Sequence, residues 1–272
     1  MNWKEYLDTA REAAQKAGVL LRGSMSLDRR IDFKGEVNIV TDFDRESQRI
    51  IHEHISGRYP DHDFLAEEDL REERGSEYRW IIDPIDGTTN FAHRFPVFCI
   101  AIALEARGNV VVGVVYDPMR DEMFEATKGG GARLNGKPIS VSSTDDLNRC
   151  LLSTGFPYDI RDSRENNLNH FCDFAVRSQA VRRCGSAALD LSYVACGRFD
   201  GFWELKLFPW DVAAAGLLVL EAGGMVSDFR GGGFDAYGKK ILASNGRIHD
   251  RMIEILRLPS KSEAPVGKRE RA

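Results

Sequence analysis

An α/β fold, built as one large domain or two closely packed halves, is predicted by three features of this 272-residue sequence. Helical stripes open the chain, β-patterned segments follow between residues 63 and 139, and strand and helix patterns alternate beyond a polar link at 142–148. A hydrophobic content of 43% is enough for a substantial core.

Leu7, Ala10, Ala14, Ala17 and Leu21 recur at three- and four-residue steps, the stripe of an amphipathic helix that begins at Trp3 and that Gly23 ends. A second helix is expected over 44–55. Thr41 or Asp42 lies near its cap, Ile50, Ile51 and Ile55 lie inside, and Gly57 with Pro60 stops it. A short strand at 63–66, a charged loop at 67–77 and a strand at 78–82 come next. Segments 99–105 and 109–116 read as strands joined by a turn at Arg107-Gly108, and 123–126 continues the meander. The run Gly129-Gly130-Gly131 suggests a phosphate cradle, but no helical pattern follows it and Asn135-Gly136 signals a hairpin, so 128–139 reads as β-structure. Beyond the link, strands are expected at 151–154, 180–182, 226–228 and 241–244, and helices at 163–179, 185–196, 211–222 and 248–256. The basic, polar stretch 259–272 reads as a disordered tail. The change of pattern divides the chain into an N-terminal α+β half, 1–145, and a C-terminal α/β half, 146–258.

A net charge of −5 argues against a protein built to hold nucleic acid, and no direct nucleic-acid contact is expected. The five cysteines are odd in number and contain no C-x-x-C pair, which points away from a disulfide framework or a zinc knuckle. The first ten residues carry acids where a signal peptide needs basic residues, and no 18-residue apolar run occurs, so a soluble cytoplasmic protein is expected.

The stretch W-I-I-D-P-I-D-G-T-T-N-F, residues 80–91, carries the chemistry. Ile81 and Ile82 belong in a sheet, while Pro84 removes a donor and pushes Asp83 towards an extended conformation, so the ladder breaks between the two acids. Gly87 permits a close turn, and Thr88 or Thr89 caps a short helix whose free N–H groups face Asp83 and Asp86. Carboxylates without cysteine or histidine select a hard ion such as Mg2+, and a phosphate can bridge the metal and the helix terminus. Solvated aspartates in an Asx-turn are the plainer alternative. Phosphatases that form an aspartyl-phosphate place one residue between their acids. Here there are two, which favours direct attack by water with inversion at phosphorus. Alone, Asp211 reads as a helix cap, Glu204 as a solvated strand position, Asp44 as a partner of a helix dipole, and His54, His93 and His170 as structural.

This stretch resembles the first signature of the inositol monophosphatase family, and P-W-D-V-A-A-A-G-L-L-V-L-E-A-G-G, residues 209–224, resembles the second. The likeness takes in N-I-V-T-D-F-D, L-A-E-E-D, R-R-C-G-S-A-A and D-G-F-W-E, from about residue 3 to 258. It implies a layered αβαβα sandwich, homodimers, inhibition by lithium, and Mg2+-dependent hydrolysis of myo-inositol monophosphate or a similar small polyol phosphate by a metal-activated water. Glu67, Asp83, the carbonyl of Ile85, Asp86 and Asp211 match the ligands of two or three Mg2+ ions. Gly87 and Thr88 match phosphate-binding amides, and Asp44, Thr88 and Glu67 match the groups that activate and orient the water. Asp86, Gly185, Ser186, Ala187, Glu204 and Asp211 match positions that meet the substrate's alcohol. Ala66 stands where members often have glycine, and Thr89-Asn90 is more similar to the inositol-type branch than to the nucleotide branch. Fructose 1,6-bisphosphate, histidinol phosphate and 3'-phosphoadenosine 5'-phosphate are alternative substrates, and a transcription-machinery contact is an alternative role, since a shared fold does not fix the ligand.

Overall fold

The computed structural model describes residues 3–27, 30–33 and 39–258. The chain starts with α1 (Lys4–Gly23), the antiparallel pair β1 (Ile31–Phe33) and β2 (Ile39–Thr41), and α2 (Asp42–Ser56). Then come β3 (Asp63–Ala66), β4 (Arg71–Glu72), β5 (Tyr78–Asp86), the one-turn helix α3 (Thr88–Ala92), β6 (Cys99–Ala106), β7 (Asn109–Asp117), β8 (Glu122–Thr127), β9 (Gly131–Leu134) and β10 (Lys137–Pro138). The remainder supplies β11 (Leu151–Thr154), α4 (Leu168–Ala175), β12 (Ala180–Arg182), α5 (Ala187–Ala195), β13 (Gly201–Leu205), α6 (Pro209–Glu221), β14 (Met225–Ser227), β15 (Lys240–Ser244) and α7 (His249–Leu256).

Two sheets organise these elements. The larger has the order β10-β9-β8-β7-β6-β5-β3-β4 and is antiparallel except where β3 runs parallel to β5. The smaller, β12-β11-β13-β15-β14, is mixed, with β11 parallel to both neighbours and β15 antiparallel to both of its own. Helices α1 and α2 cover one face of the large sheet, α5 and α6 lie between the sheets, and α4 with α7 covers the outer face of the small one. The expected αβαβα layering is therefore the observed one. The middle layer explains why α5 and α6 are apolar on every side: each buries its whole circumference, from Ala187 to Ala195 and from Val212 to Val219. Close contact there depends on Gly113 of β7, where a Cβ would stand 2.5 Å from the carbonyl oxygen of Ala214.

The expected turns at Arg107-Gly108 and Asn135-Gly136 form with both residues of each pair at positive φ, as two-residue hairpins require, and the Gly129–Gly131 run serves a hairpin and not a phosphate. The helix expected over 163–179 is much shorter, Leu168–Ala175. Local side-chain bonds stop it on its N-terminal side: Ser163 Oγ accepts from the Glu165 amide at 3.2 Å, and Asn167 is held at φ +71° by its buried side chain. The stretch 259–272, read as a tail, and Asn38 of the N-I-V-T-D-F-D motif lie outside the described residues.

Candidate active site

The paired acids sit on a bulge. β5 does not end at Ile82 but continues to Asp86, with Asp83 opposite Ala101 and Asp86 opposite Cys99, so β5 carries one more residue than β6 across this interval. Pro84 interrupts the ladder as expected, yet the strand resumes. Asp83 Oδ1 accepts from the Ile85 amide at 3.0 Å, an Asx-type turn, but both aspartates are buried and not solvated. Gly87 follows at φ +105° and is itself the cap of α3, in place of the threonine cap expected from sequence. A Cβ there would meet Val97 O at 3.1 Å and Gly185 O at 3.2 Å, so only glycine fits.

Thr88 is the first residue of α3, and its hydroxyl turns inward, 2.8 Å from Asp44 Oδ1 and 3.0 Å from the carbonyl of Ile85. Asp44 stands at the third position of α2, where its other oxygen accepts from the Thr41 amide at 2.7 Å and the Thr41 hydroxyl at 2.5 Å. The capping role and the contact with Thr88 belong to the same carboxylate. Helix α2 also grips the motif through Ser47 Oγ, which donates to Pro84 O at 2.9 Å. Gln48 holds the loop of Glu67 by a pair of bonds to the Glu68 backbone, at 2.9 and 3.0 Å.

Asp86 lies against the N-terminus of α5. Ser186 Oγ donates to it at 2.7 Å and the Ala187 and Ala188 amides at 3.3 and 2.6 Å, so these donors hold a carboxylate of the motif. Asp211, at the third position of α6, accepts from the Phe208 amide at 2.7 Å. It is a capping residue as well as a wall of the cavity. Asn90 locks the two parts of the site together, donating to Val97 O at 2.7 Å and to Cys184 O at 2.8 Å.

These residues enclose a cavity of about 530 Å3 lined by Glu67, Asp83, Ile85, Asp86, Gly87, Thr88, Gly185, Ser186, Ala187, Glu204 and Asp211. Asp44 stands behind Thr88 and is wholly buried. None of the six histidines lines it. Sequence reading did not single out Asp190 or Tyr158, which also line the wall, nor the clamp made by Asn90. Their residue types carry no spacing signal; only position gives them a role.

Burial, and then the charges of Glu67, Asp86 and Asp211, push Asp83 well above the usual carboxylate range. Asp211 is raised by burial and by Asp86, and Asp86 by burial against the opposing pull of its donors. Asp44 is pushed up to about 6, by burial against the bonds from Thr41 and Thr88, and Glu204 to about 8, by burial and the nearby Asp190. Glu204 is thus a buried group and not a solvated strand position. Among the described residues no three Asp, Glu, His or Cys side chains close on one ion as they stand. Like charges keep apart, and Asp86 is drawn to the donors of α5. The donor set itself, carboxylate and carbonyl oxygens that raise one another's proton affinity, fits hard divalent cations.

The sequence profile described as "Inositol monophosphatase family" matches residues 2–259. The chain belongs to that family. It is 45% identical over 253 residues to the inositol-1-monophosphatase of Synechocystis, covering 92% of this chain and 88% of the relative. The solved structure of an inositol monophosphatase from Anabaena (Nostoc) superposes with a TM-score of 0.88 at 44% identity, covering 96% of this chain and 99% of that one. An Escherichia coli relative named Nus factor SuhB is 42% identical over 254 residues, 92% of this chain and 95% of its own. Members of the inositol monophosphatase family are metal-dependent phosphoric monoester hydrolases, and this chain is an enzyme of that class. No helix among the described residues is long and apolar enough to cross a membrane.

Proposed function

We propose that the protein is a Mg2+-dependent phosphatase that releases inorganic phosphate from myo-inositol monophosphate or a closely similar polyol phosphate. The observation that carries this reading is the meeting of the buried carboxylates of β5 and the half-buried Asp211 of α6 with the Thr88–Asp44 pair at one cavity. Glu67, Asp83, the Ile85 carbonyl, Asp86 and Asp211 would hold two or three Mg2+ ions. When bound, these ions acidify water and neutralise the ester's charge. Without cations such a cavity repels a phosphate dianion.

The chain's own groups then divide the work. The amides of Gly87 and Thr88, at the open end of α3, receive phosphate oxygens. Thr88 donates a hydrogen bond to Asp44, which leaves the hydroxyl oxygen free to accept a hydrogen bond from water and orient it, with Glu67 beside it. The wall formed by Gly185, Ser186, Ala187 and Glu204 receives the alcohol. In this reading residues 1–145 carry the metal and phosphate motifs and 146–258 complete the site. Homodimers, a cytoplasmic setting and inhibition by lithium accompany it.

The test is phosphate release from a panel of esters, namely inositol monophosphate, fructose 1,6-bisphosphate, histidinol phosphate and 3'-phosphoadenosine 5'-phosphate, with Mg2+ and with a chelator. Turnover of inositol monophosphate that exceeds the others and stops with chelation is expected. No release from any ester in Mg2+ refutes the reading. The relative named Nus factor SuhB favours a second role, contact with transcription machinery, and a pull-down with purified RNA polymerase separates it from hydrolysis.

A further inference from the structure

We infer that Lys206 is a positioning residue: its ammonium ties the segment 155–167 to the cavity beside Glu204, and so fixes the wall against which the substrate's alcohol rests. The inference deepens the proposed phosphatase reading and rests on it.

Segment 155–167 leaves β11 and arches along the cavity before entering α4, and Gly155, Phe156, Pro157, Tyr158 and Asp159 are among the lining residues. Its root lies directly on Glu204, since a Cβ at Gly155 would collide with both oxygens of that carboxylate. The arch therefore belongs to the same end of the cavity as Glu204. Both of its feet are firm, because buried Asn167 donates to Thr154 Oγ1 at 2.9 Å and to Gly155 O at 2.6 Å, and accepts from Trp203 Nε1 at 2.8 Å. The middle has less to hold it. Between 156 and 165 the backbone hydrogen bonds among the described residues stay inside the arch, as from Ile160 N to Pro157 O at 3.1 Å and from Ser163 N to Asp159 O at 2.9 Å, and most residues there are exposed. Such a span keeps one shape only if it is tied from outside.

Lys206 supplies a tie at the cavity itself. It lines the cavity two residues after Glu204, and its Nζ reaches Asp159 Oδ2 at 2.6 Å and Ser163 Oγ at 2.8 Å. A second pair, Lys240 with Glu165 at 2.6 Å, is more exposed and stands outside the cavity lining. The backbone gives an independent sign of the role. Lys206 is held at φ +64°, a conformation that costs a residue with a Cβ and that glycine adopts freely. Its amide bond to Lys239 O, at 2.5 Å, needs no side chain, whereas the bonds of Nζ do. A turn that needed only this shape is best made by glycine, so the strain is explained by what the side chain does.

Lys206→Gly removes the ammonium and relieves the backbone, and so separates the tie from the turn. In Mg2+ the variant and the wild-type protein are compared for KM and kcat on inositol monophosphate, for competitive inhibition by inorganic phosphate, which has no alcohol part, and for the rate of tryptic cleavage after Arg161 and Arg164 of the arch. KM should rise about three- to tenfold, with kcat and the phosphate inhibition constant within about twofold, a modest effect because the ion pair is partly screened by solvent. Cleavage in the arch should quicken about three- to tenfold as well, since it follows the population of the opened segment. Lys206→Arg, which keeps the charge, should stay within about twofold of wild type in KM and cleavage. Unchanged KM in the glycine variant overturns the inference whether or not cleavage quickens, because the arch then has no bearing on the substrate. A rise in KM without faster cleavage overturns it too, since Lys206 would then meet the substrate itself. An equal rise in the phosphate inhibition constant places the effect at the phosphate end and refutes it in a third way. Absence of wild-type turnover would instead defeat the phosphatase reading, while the cleavage rates still report on the tie, so the two failures are distinct.

Discussion

Thr88 has one proton and two acceptors in reach, Asp44 Oδ1 at 2.8 Å and the Ile85 carbonyl at 3.0 Å. The shorter, carboxylate bond is the stronger while Asp44 is ionised, and it fixes which way the hydroxyl's lone pairs face. Thr88→Ala should lower kcat by about a hundredfold with a smaller change in KM, and Thr88→Ser should keep most of the activity. Steady-state kinetics of the two variants check this, and a defect confined to KM would reassign the residue to binding. At this scale the sequence was informative where chemistry is concentrated. Glu67, Asp83, Asp86, Glu204 and Asp211 do line one cavity, as the motifs implied. Asn90, Tyr158 and Asp190 were not legible, because an amide, a phenol or a further acid in an apolar context has many ordinary uses, and only the surroundings choose among them.

Helix α2 acts as a platform. It delivers Asp44 from its first turn, Ser47 to the Pro84 carbonyl, and Gln48 to the backbone beside Glu67. Gln48→Ala removes two buried bonds worth about 1 kcal/mol each, so a loss of about 2 kcal/mol in stability is expected from urea denaturation. Because the same bonds hold the Glu67 loop, the Mg2+ concentration for half-maximal activity should also rise several-fold. An unchanged Mg2+ requirement would mean that the loop keeps its place without α2. The helical period found α2 and the apolar α5 and α6, but it overextended α4, where Asn167 and Ser163 bond locally instead of continuing a helix. The pair β1–β2 and the strand β4 escaped notice for a similar reason: strands of two or three residues have too few alternations to read.

The acids of the site are brought together at a cost to the whole molecule. Glu204 holds its proton up to about 8, and Asp83 and Asp211 are raised well above the usual carboxylate range, whereas an unfolded chain releases these protons near pH 4. Above that point the folded state binds more protons than the unfolded one, so metal-free stability falls as pH rises towards and through these folded pKa values. Half-buried His54, His62 and His170 and buried His249, lowered chiefly by burial, act in the opposite sense, but their effect is complete once the unfolded histidine has lost its proton, near pH 6.5. Between about pH 7 and about pH 8.5 the carboxylates should therefore dominate. The denaturation midpoint of chelator-treated protein should drop across this interval, and saturating Mg2+ should raise it, more at the upper pH than at the lower. Equal stabilisation at both would mean that Mg2+ binds without displacing protons from the buried acids. Sequence alone determined the alternation of elements, the turns at Arg107-Gly108 and Asn135-Gly136, the interruption of the ladder at Pro84 and the kind of ligand the paired acids favour, because each follows from neighbours along the chain. Tertiary structure decided that Asp44 reaches Thr88, that α5 spends its N-terminal donors on Asp86, and that segment 155–167 brings Tyr158 to the cavity. Those contacts join residues far apart in the chain, and only packing of the two sheets around α5 and α6 sets their distances.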